Sequence, residues 1–374
     1  MVDRIGVAFV GCTHPHIFPR VDILRGEPDV TLVGCYDPDP AIAAGIEERC
    51  GLKSFGSADE LLDQPGVNFA VIEGWEKDNP GYVAKALERG QAIMLEKPGA
   101  ANLPAMRALI DGVRAKPVPF QVGYMMHDNS AIRHARRILA EGVLGPVTLA
   151  RVHAATPVGG SREIWQSQPD DLGGLMYTDA CHAVDMIVSL FGIPKHVNSL
   201  MLKLPEGESV TAHGFKKDTL SQLDVTVEMP IGGLVHEDAG AAILRYADKI
   251  VTLDMTGWEA HPWVEAWRIE IYGANGTLHV ALTPPAYRLY VRNAKAGYQP
   301  GWHEWSGLSA SVVGNSLEVD ENYSSEVHNM LARVRRWDTD NAQSIREAEG
   351  VITILSAMYD SERDGKMVEV QSRV

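Results

Sequence analysis

Positive charge is the scarcest thing in this sequence. Its 374 residues carry 34 Lys and Arg against 49 Asp and Glu, a formal net charge of −15. Such a surface repels phosphate backbones and anionic bilayers, so neither nucleic acid nor a membrane is expected as a partner. A phosphate-bearing cofactor stays possible, because backbone N–H groups can hold phosphate locally. Cysteine is scarce too. Cys12, Cys35, Cys50 and Cys181 show no paired metal spacing and are too scattered for a disulfide framework, which points to a reducing, cytoplasmic setting. No apolar run reaches the ~18 residues of a membrane span, and the opening Met-Val-Asp-Arg enters a strand with no signal peptide. Internal repeats and low-complexity tracts are lacking as well.

What is present suits a soluble two-domain protein: 45% of residues are hydrophobic and 22% charged. Ile5 to Val10 reads as a strand, followed by Gly11-Cys12-Thr13-His14-Pro15-His16 and a helix from about Ile17 to Leu24. A second strand, Thr31 to Cys35, ends at Asp37. Strand, turn, helix, strand, acid is the layout of a dinucleotide-binding unit, with the acid ~20 residues or more beyond the turn, placed to bind ribose hydroxyls. No Arg or Lys follows Asp37 closely, so NAD is favoured over NADP. The glycine fingerprint keeps only Gly11; Thr13 and His16 stand where the second and third glycines would be. His14 and His16 flank a helix start, where they could bond phosphate or substrate, or simply pack. As a metal pair they lack a third and fourth ligand, and no metal is expected.

Strands and helices then alternate as far as Gly123-Tyr124, the pattern of a parallel sheet wound on both sides. Within it, the apolar strand Ala92 to Leu95 runs into Glu96-Lys97-Pro98, so Lys97 stands at a strand's carboxyl end, where such sheets bind ligands. The first domain is placed at residues 1–125 and the second at 126–374. In the second, helices are expected over Ala131 to Glu141 and Leu175 to Phe191. Strands without intervening helices follow, implying a largely antiparallel sheet covered on one face. Two closing helices carry the apolar faces Tyr323, Val327, Met330, Leu331, Val334 and Val351, Ile354, Leu355, Met358, and are expected to pack back toward the first domain. On a helix from Leu175, Asp179 and His182 share a face, with Asp185 one turn on. A carboxylate beside an imidazole orients it as a general base, or caps a structural helix.

Taken together, these features resemble the glucose–fructose oxidoreductase, inositol dehydrogenase and MocA (Gfo/Idh/MocA) superfamily. The resemblance rests on the amino-terminal unit, Glu96-Lys97-Pro98, Gly123-Tyr124, Gly142-Val143-Leu144-Gly145, Gly173-Gly174-Leu175 with Asp179, His182 and Asp185, and Ile269 to Leu278. It implies a Rossmann domain followed by an α+β domain with a large, mainly antiparallel open sheet. It also implies hydride transfer between NAD and a carbohydrate, polyol or related cyclic hydroxyl compound, a small-molecule substrate, and a homodimer or homotetramer. Carried over residue by residue, it makes Lys97, Asp179 and His182 catalytic. Gly11, Cys12, Thr13, His14, His16, Asp37, Glu96 and Lys97 would surround the cofactor; Tyr124, His127 and Trp165 would join the catalytic three around substrate. Two departures stand out. Thr178 holds the usual acid position, four before the histidine, and His127 and Asp128 replace the family's Arg-Phe. Three rival readings stay open: a redox-neutral enzyme that uses NAD transiently for glycoside cleavage or epimerisation, a non-catalytic NAD or ligand sensor, and, third, a metal enzyme built on His14 and His16.

Overall fold

The structure, a computed structural model, describes residues 2–155, 173–216, 221–258, 267–282, 284–307 and 321–373. The first sheet is five-stranded and wholly parallel. Its strands are β1 (Ile5–Val10), β2 (Val30–Tyr36), β3 (Val67–Ile72), β4 (Ala92–Glu96) and β5 (Phe120–Gly123), in the order β2-β1-β3-β4-β5. Helices α1 (Ile17–Arg25), α2 (Pro40–Cys50), α3 (Ala58–Leu62), α4 (Asn79–Glu88) and α5 (Leu103–Ala115) connect them. Local chemistry explains several starts. Asp39, Ser57 and Asn102 accept N–H bonds from Ala41, Glu60 and Ala105, the ordinary work of an N-cap side chain. Strands β1 and β4 are buried throughout, so they read as unbroken apolar runs rather than alternations. The strand order reverses between β1 and β3, which puts the binding crevice at the loops that follow them.

Helix α6 (Ser130–Ala140) leads into β6 (Val147–Ala155). The second sheet has nine strands in the order β15-β14-β13-β12-β6-β11-β10-β7-β16. These are β7 (His196–Leu202), β10 (Ala239–Arg245), β11 (Ile250–Thr256), β12 (Arg268–Gly273), β13 (Gly276–Leu282), β14 (Pro285–Val291), β15 (Gly301–Ser306) and β16 (Val368–Glu369). Among the described residues of this sheet, only β6 and β11 pair in parallel. Burial alternates along β10 to β14, one face packed and one open. The closing helices Glu321–Arg336 and Ala342–Asp364 complete the fold. Val327, Met330, Leu331 and Val334 join one apolar cluster with Ile5, Val7, Phe9, Phe69 and Val71, so the first of them packs on the parallel sheet.

Three local expectations are corrected. The single helix from Leu175 to Phe191 is two pieces, Leu175–Thr178 and Cys181–Phe191, broken at Asp179 and Ala180. The strand expected near Asp224 belongs to a separate hairpin of β8 (Ser209–Lys216) and β9 (Ser221–Pro230), not to the large sheet. Strand β15 went unexpected; its one exposed edge and alternating, half-exposed side chains give a weak apolar signal.

Candidate active site

The loop after β1 turns sharply at Gly11, whose φ of 67° is left-handed. A Cβ there would stand 2.5 Å from Gly74 Cα, so the loops after β1 and β3 touch through bare backbone. Asp37, at the end of β2, faces this loop. Its Oδ2 accepts the Cys12 N–H at 2.7 Å and the Thr13 hydroxyl at 3.3 Å, and its Oδ1 accepts the Asp39 N–H at 2.9 Å. Burial raises the Asp37 carboxyl above its ordinary value despite those bonds. The Gly11 and His14 amides donate to Tyr36 and Glu73 carbonyls, and the His16 amide to His14 Nδ1, which leaves the Thr13 N–H as the loop's donor toward a phosphate.

His16 occupies the third-glycine position without separating helix from strand, because its ring turns inward. It lies edge-on to Tyr323 at 5.2 Å between centroids, with Nδ1 3.0 Å from Glu96 Oε1 and 3.2 Å from Oε2. His14 reaches the same carboxylate, Nδ1 to Oε1 at 3.6 Å. Burial drives both imidazoles well below the ordinary histidine value, so both are neutral at pH 7.

Beneath them lies a group that sequence reasoning missed. Arg20 is fully buried and serves three glutamates: Glu73 (2.6 Å), Glu96 (2.5 Å) and Glu326 (2.9 and 3.1 Å). Burial raises the Glu73 carboxyl well above its usual range. Against the same upward push, His14, Arg20 and Lys97 hold Glu96 below its ordinary value. A signal for Arg20 did exist. Ile17, Val21 and Leu24 form the buried stripe of α1, and position 20 falls on it at helical spacing.

Lys97 follows β4 across a cis bond to Pro98 and is 2% exposed. Its Nζ donates to the Thr178 carbonyl at 3.1 Å and lies 3.7 Å from Asp179 Oδ1. Burial alone would lower its pKa, but Asp179, Cys181, Glu96 and Glu76 outweigh that, and it stays an ammonium. Buried Glu76, pushed by desolvation up to about 8, is protonated at neutral pH.

At the break before Cys181, Asp179 stands 3.7 Å from Lys97 Nζ, and its backbone carbonyl accepts the His182 N–H at 3.3 Å. His182 lies among aromatic rings, 6.2 Å by centroids from each of His16, Tyr124 and Trp267. Its Nδ1 has no hydrogen-bond partner, and burial, then Lys97, pushes it well below the ordinary value. Asp185 turns away from His182. It bonds His127 Nδ1 at 2.9 Å, on the wall of a cleft of about 700 Å³ that Tyr124, Arg333 and Glu347 also line. Lys97, Asp179 and His182 do not line that cleft, although Tyr124, which does, lies 6.2 Å by centroid from His182. Trp165 lies outside the described residues.

Two family profiles match the chain. One, described as an oxidoreductase family with an NAD-binding Rossmann fold, covers residues 5–124. The other, the carboxyl-terminal alpha/beta domain of that oxidoreductase family, covers residues 136–370. An uncharacterized oxidoreductase of Streptococcus pneumoniae (serotype 4, strain TIGR4) is 28% identical over 169 residues, 44% of each chain, so this chain spans under half of that relative. Inositol 2-dehydrogenase of Klebsiella pneumoniae (strain 342) is 20% identical, covering 83% of this chain and 91% of its own. Among solved structures, levoglucosan dehydrogenase in complex with NADH and L-sorbose superposes with a TM-score of 0.78 at 17% identity, over 99% of both chains.

Proposed function

Because the chain belongs to the Gfo/Idh/MocA oxidoreductase family, we propose that it is an NAD-dependent dehydrogenase of a carbohydrate, polyol or related cyclic hydroxyl compound. The observation that carries this reading is the meeting of Lys97, from the end of β4, with the Thr178–His182 segment of the second domain, beside the loop after β1. The bare-backbone contact of Gly11 with Gly74, the Thr13 N–H and the Asp37 carboxylate fit a dinucleotide. Bound NAD supplies a hydride acceptor. His182, neutral and with an unpartnered ring nitrogen, takes the hydroxyl proton. The Lys97 ammonium stabilises negative charge developing on the substrate oxygen, in a buried site where such a contact counts most. Asp179 holds that ammonium in place and keeps it charged. Inositol 2-dehydrogenase and levoglucosan dehydrogenase among the relatives support a hydroxyl-bearing ring as substrate. The open face of the large sheet, with Leu200, Leu202, Ile243 and Trp302 exposed, supports a homodimer or homotetramer.

The test has two arms. Calorimetric titration should show NAD binding, with NADP weaker because a 2′-phosphate would meet Asp37. On a panel of sugars and polyols, Lys97→Met should lose about 10²–10⁴-fold in turnover, the usual range for such groups, with NAD affinity changed only a fewfold. Near-normal turnover in that variant refutes the assignment.

A further inference from the structure

The geometry points to a binding site for a divalent first-row transition cation, of the zinc class, formed by His14, His16 and Glu96. Among the described residues, this is the one set of three or more His, Cys, Asp or Glu whose ligand atoms all lie within 4.8 Å of one another. Its orientation is more telling than its proximity. Glu96 is 1% exposed and its Oε1 accepts no hydrogen bond, although His16 Nδ1 stands 3.0 Å and His14 Nδ1 3.6 Å away. Two nitrogens and an oxygen crowd together; Oε1 has no hydrogen bond, while His14 Nδ1 takes the His16 N–H at 3.3 Å and His16 Nδ1 lies 3.2 Å from Oε2, contacts that a bound ion would replace. Imidazole and carboxylate are ordinary zinc ligands at about 2.0–2.2 Å.

The surroundings allow a cation. Arg20 Nη1 is engaged with Glu96 Oε2, leaving Oε1 to the ion. That guanidinium is itself shared with Glu73 and Glu326, so carboxyl groups outnumber it. The Lys97 ammonium is turned to the Thr178 carbonyl and the Asp179 carboxylate. Glu96 is further fixed by Arg20, an outer contact of the kind that orients a ligating carboxylate. Three protein ligands leave the fourth position of a tetrahedral zinc open, the pattern of reactive rather than structural sites. The His16 ring lies 6.2 Å by centroid from His182, so the cation site neighbours the proposed base.

The test is titration of the full chain, stripped with chelator, with zinc chloride and separately cobalt chloride, without NAD; failure of the dehydrogenase reading therefore leaves its result intact. One equivalent should bind, cobalt giving a d–d absorption spectrum of low-symmetry nitrogen and oxygen ligation. His14→Ala should weaken binding by more than about 100-fold, since even outer-shell changes cost 10–100-fold. His14 has a side chain 22% exposed, so this variant keeps the test open if His16→Ala fails to fold. Absence of saturable binding, or the same affinity and spectrum in His14→Ala, overturns the assignment. A thiolate charge-transfer band does so too, by placing the ion on cysteine.

Discussion

Replacing Arg20 by methionine removes the cation that contacts Glu73, Glu96 and Glu326 while nearly keeping the volume. The guanidinium is fully buried, and each of its three polar nitrogens bonds a carboxylate. Breaking a buried pair on one side costs about 3–5 kcal/mol, because the other charge is left uncompensated. Burial raises the Glu73 carboxyl, while Glu96 is held below its ordinary value and keeps its charge, so Glu96 and its neighbouring carboxyls lose their buried counter-cation and the upper end of that range is expected. Unfolding entropy is roughly 2.1 cal/mol/K per residue near 60 °C. If all 374 residues unfold as one unit, the loss lowers Tm by about 5–6 °C. If the first domain melts separately, the drop approaches roughly 15–20 °C. Differential scanning calorimetry distinguishes the two. The deficit should also shrink at acid pH. Carboxyls left without Arg20 are pushed up by burial, take protons as pH falls, and so cease to oppose folding. Arg20→Lys should fall between, since one ammonium cannot match the guanidinium fork's four bonds to carboxylates. A Tm within about 1 °C of wild type in Arg20→Met, or a deficit unchanged between pH 7.5 and 5, refutes the reasoning.

Two further outcomes follow from the same geometry. Burial opposes protonation of His127, yet Asp185 and Glu347 raise it to about 9. Its folded value exceeds the unfolded one, so its stabilisation is complete below about pH 6.5 and is lost as pH rises through about 9, about 3 kcal/mol in all. Denaturant melts across that window should show a steeper decline in wild type than in His127→Gln; parallel curves would remove the pair from the stability account. Gly11→Ala demands a left-handed residue and sets a Cβ 2.5 Å from Gly74 Cα, so NAD affinity by calorimetry should fall at least about tenfold, a cost of roughly 1.4 kcal/mol or more. Unchanged affinity would show that the loop is not the cofactor's seat.

Several features were legible from the chain alone because local pattern decides them. The alternation of apolar runs and amphipathic segments gave the parallel sheet, and period-two burial gave most strands of the second. Gly11, Asp37 and Lys97 could be placed because each sits at a strand end, where geometry is set within a few residues. Other features required the folded molecule. The break at Asp179 and Ala180 is invisible to periodicity, since the apolar spacing continues across it; the folded chain sets Asp179 3.7 Å from Lys97 there. Asp185 found His127, and Glu96 found His14 and His16, across 58, 82 and 80 residues. Such pairings depend on which strand neighbours which, and only the β2-β1-β3-β4-β5 order brings the loop after β1 over the end of β4. The sequence by itself determined two layered domains and the strand ends where chemistry belongs, because apolar spacing and turn residues act locally. Tertiary structure alone decided which acid meets which base, because a buried charge takes the partner that folding places within about 3 Å of it.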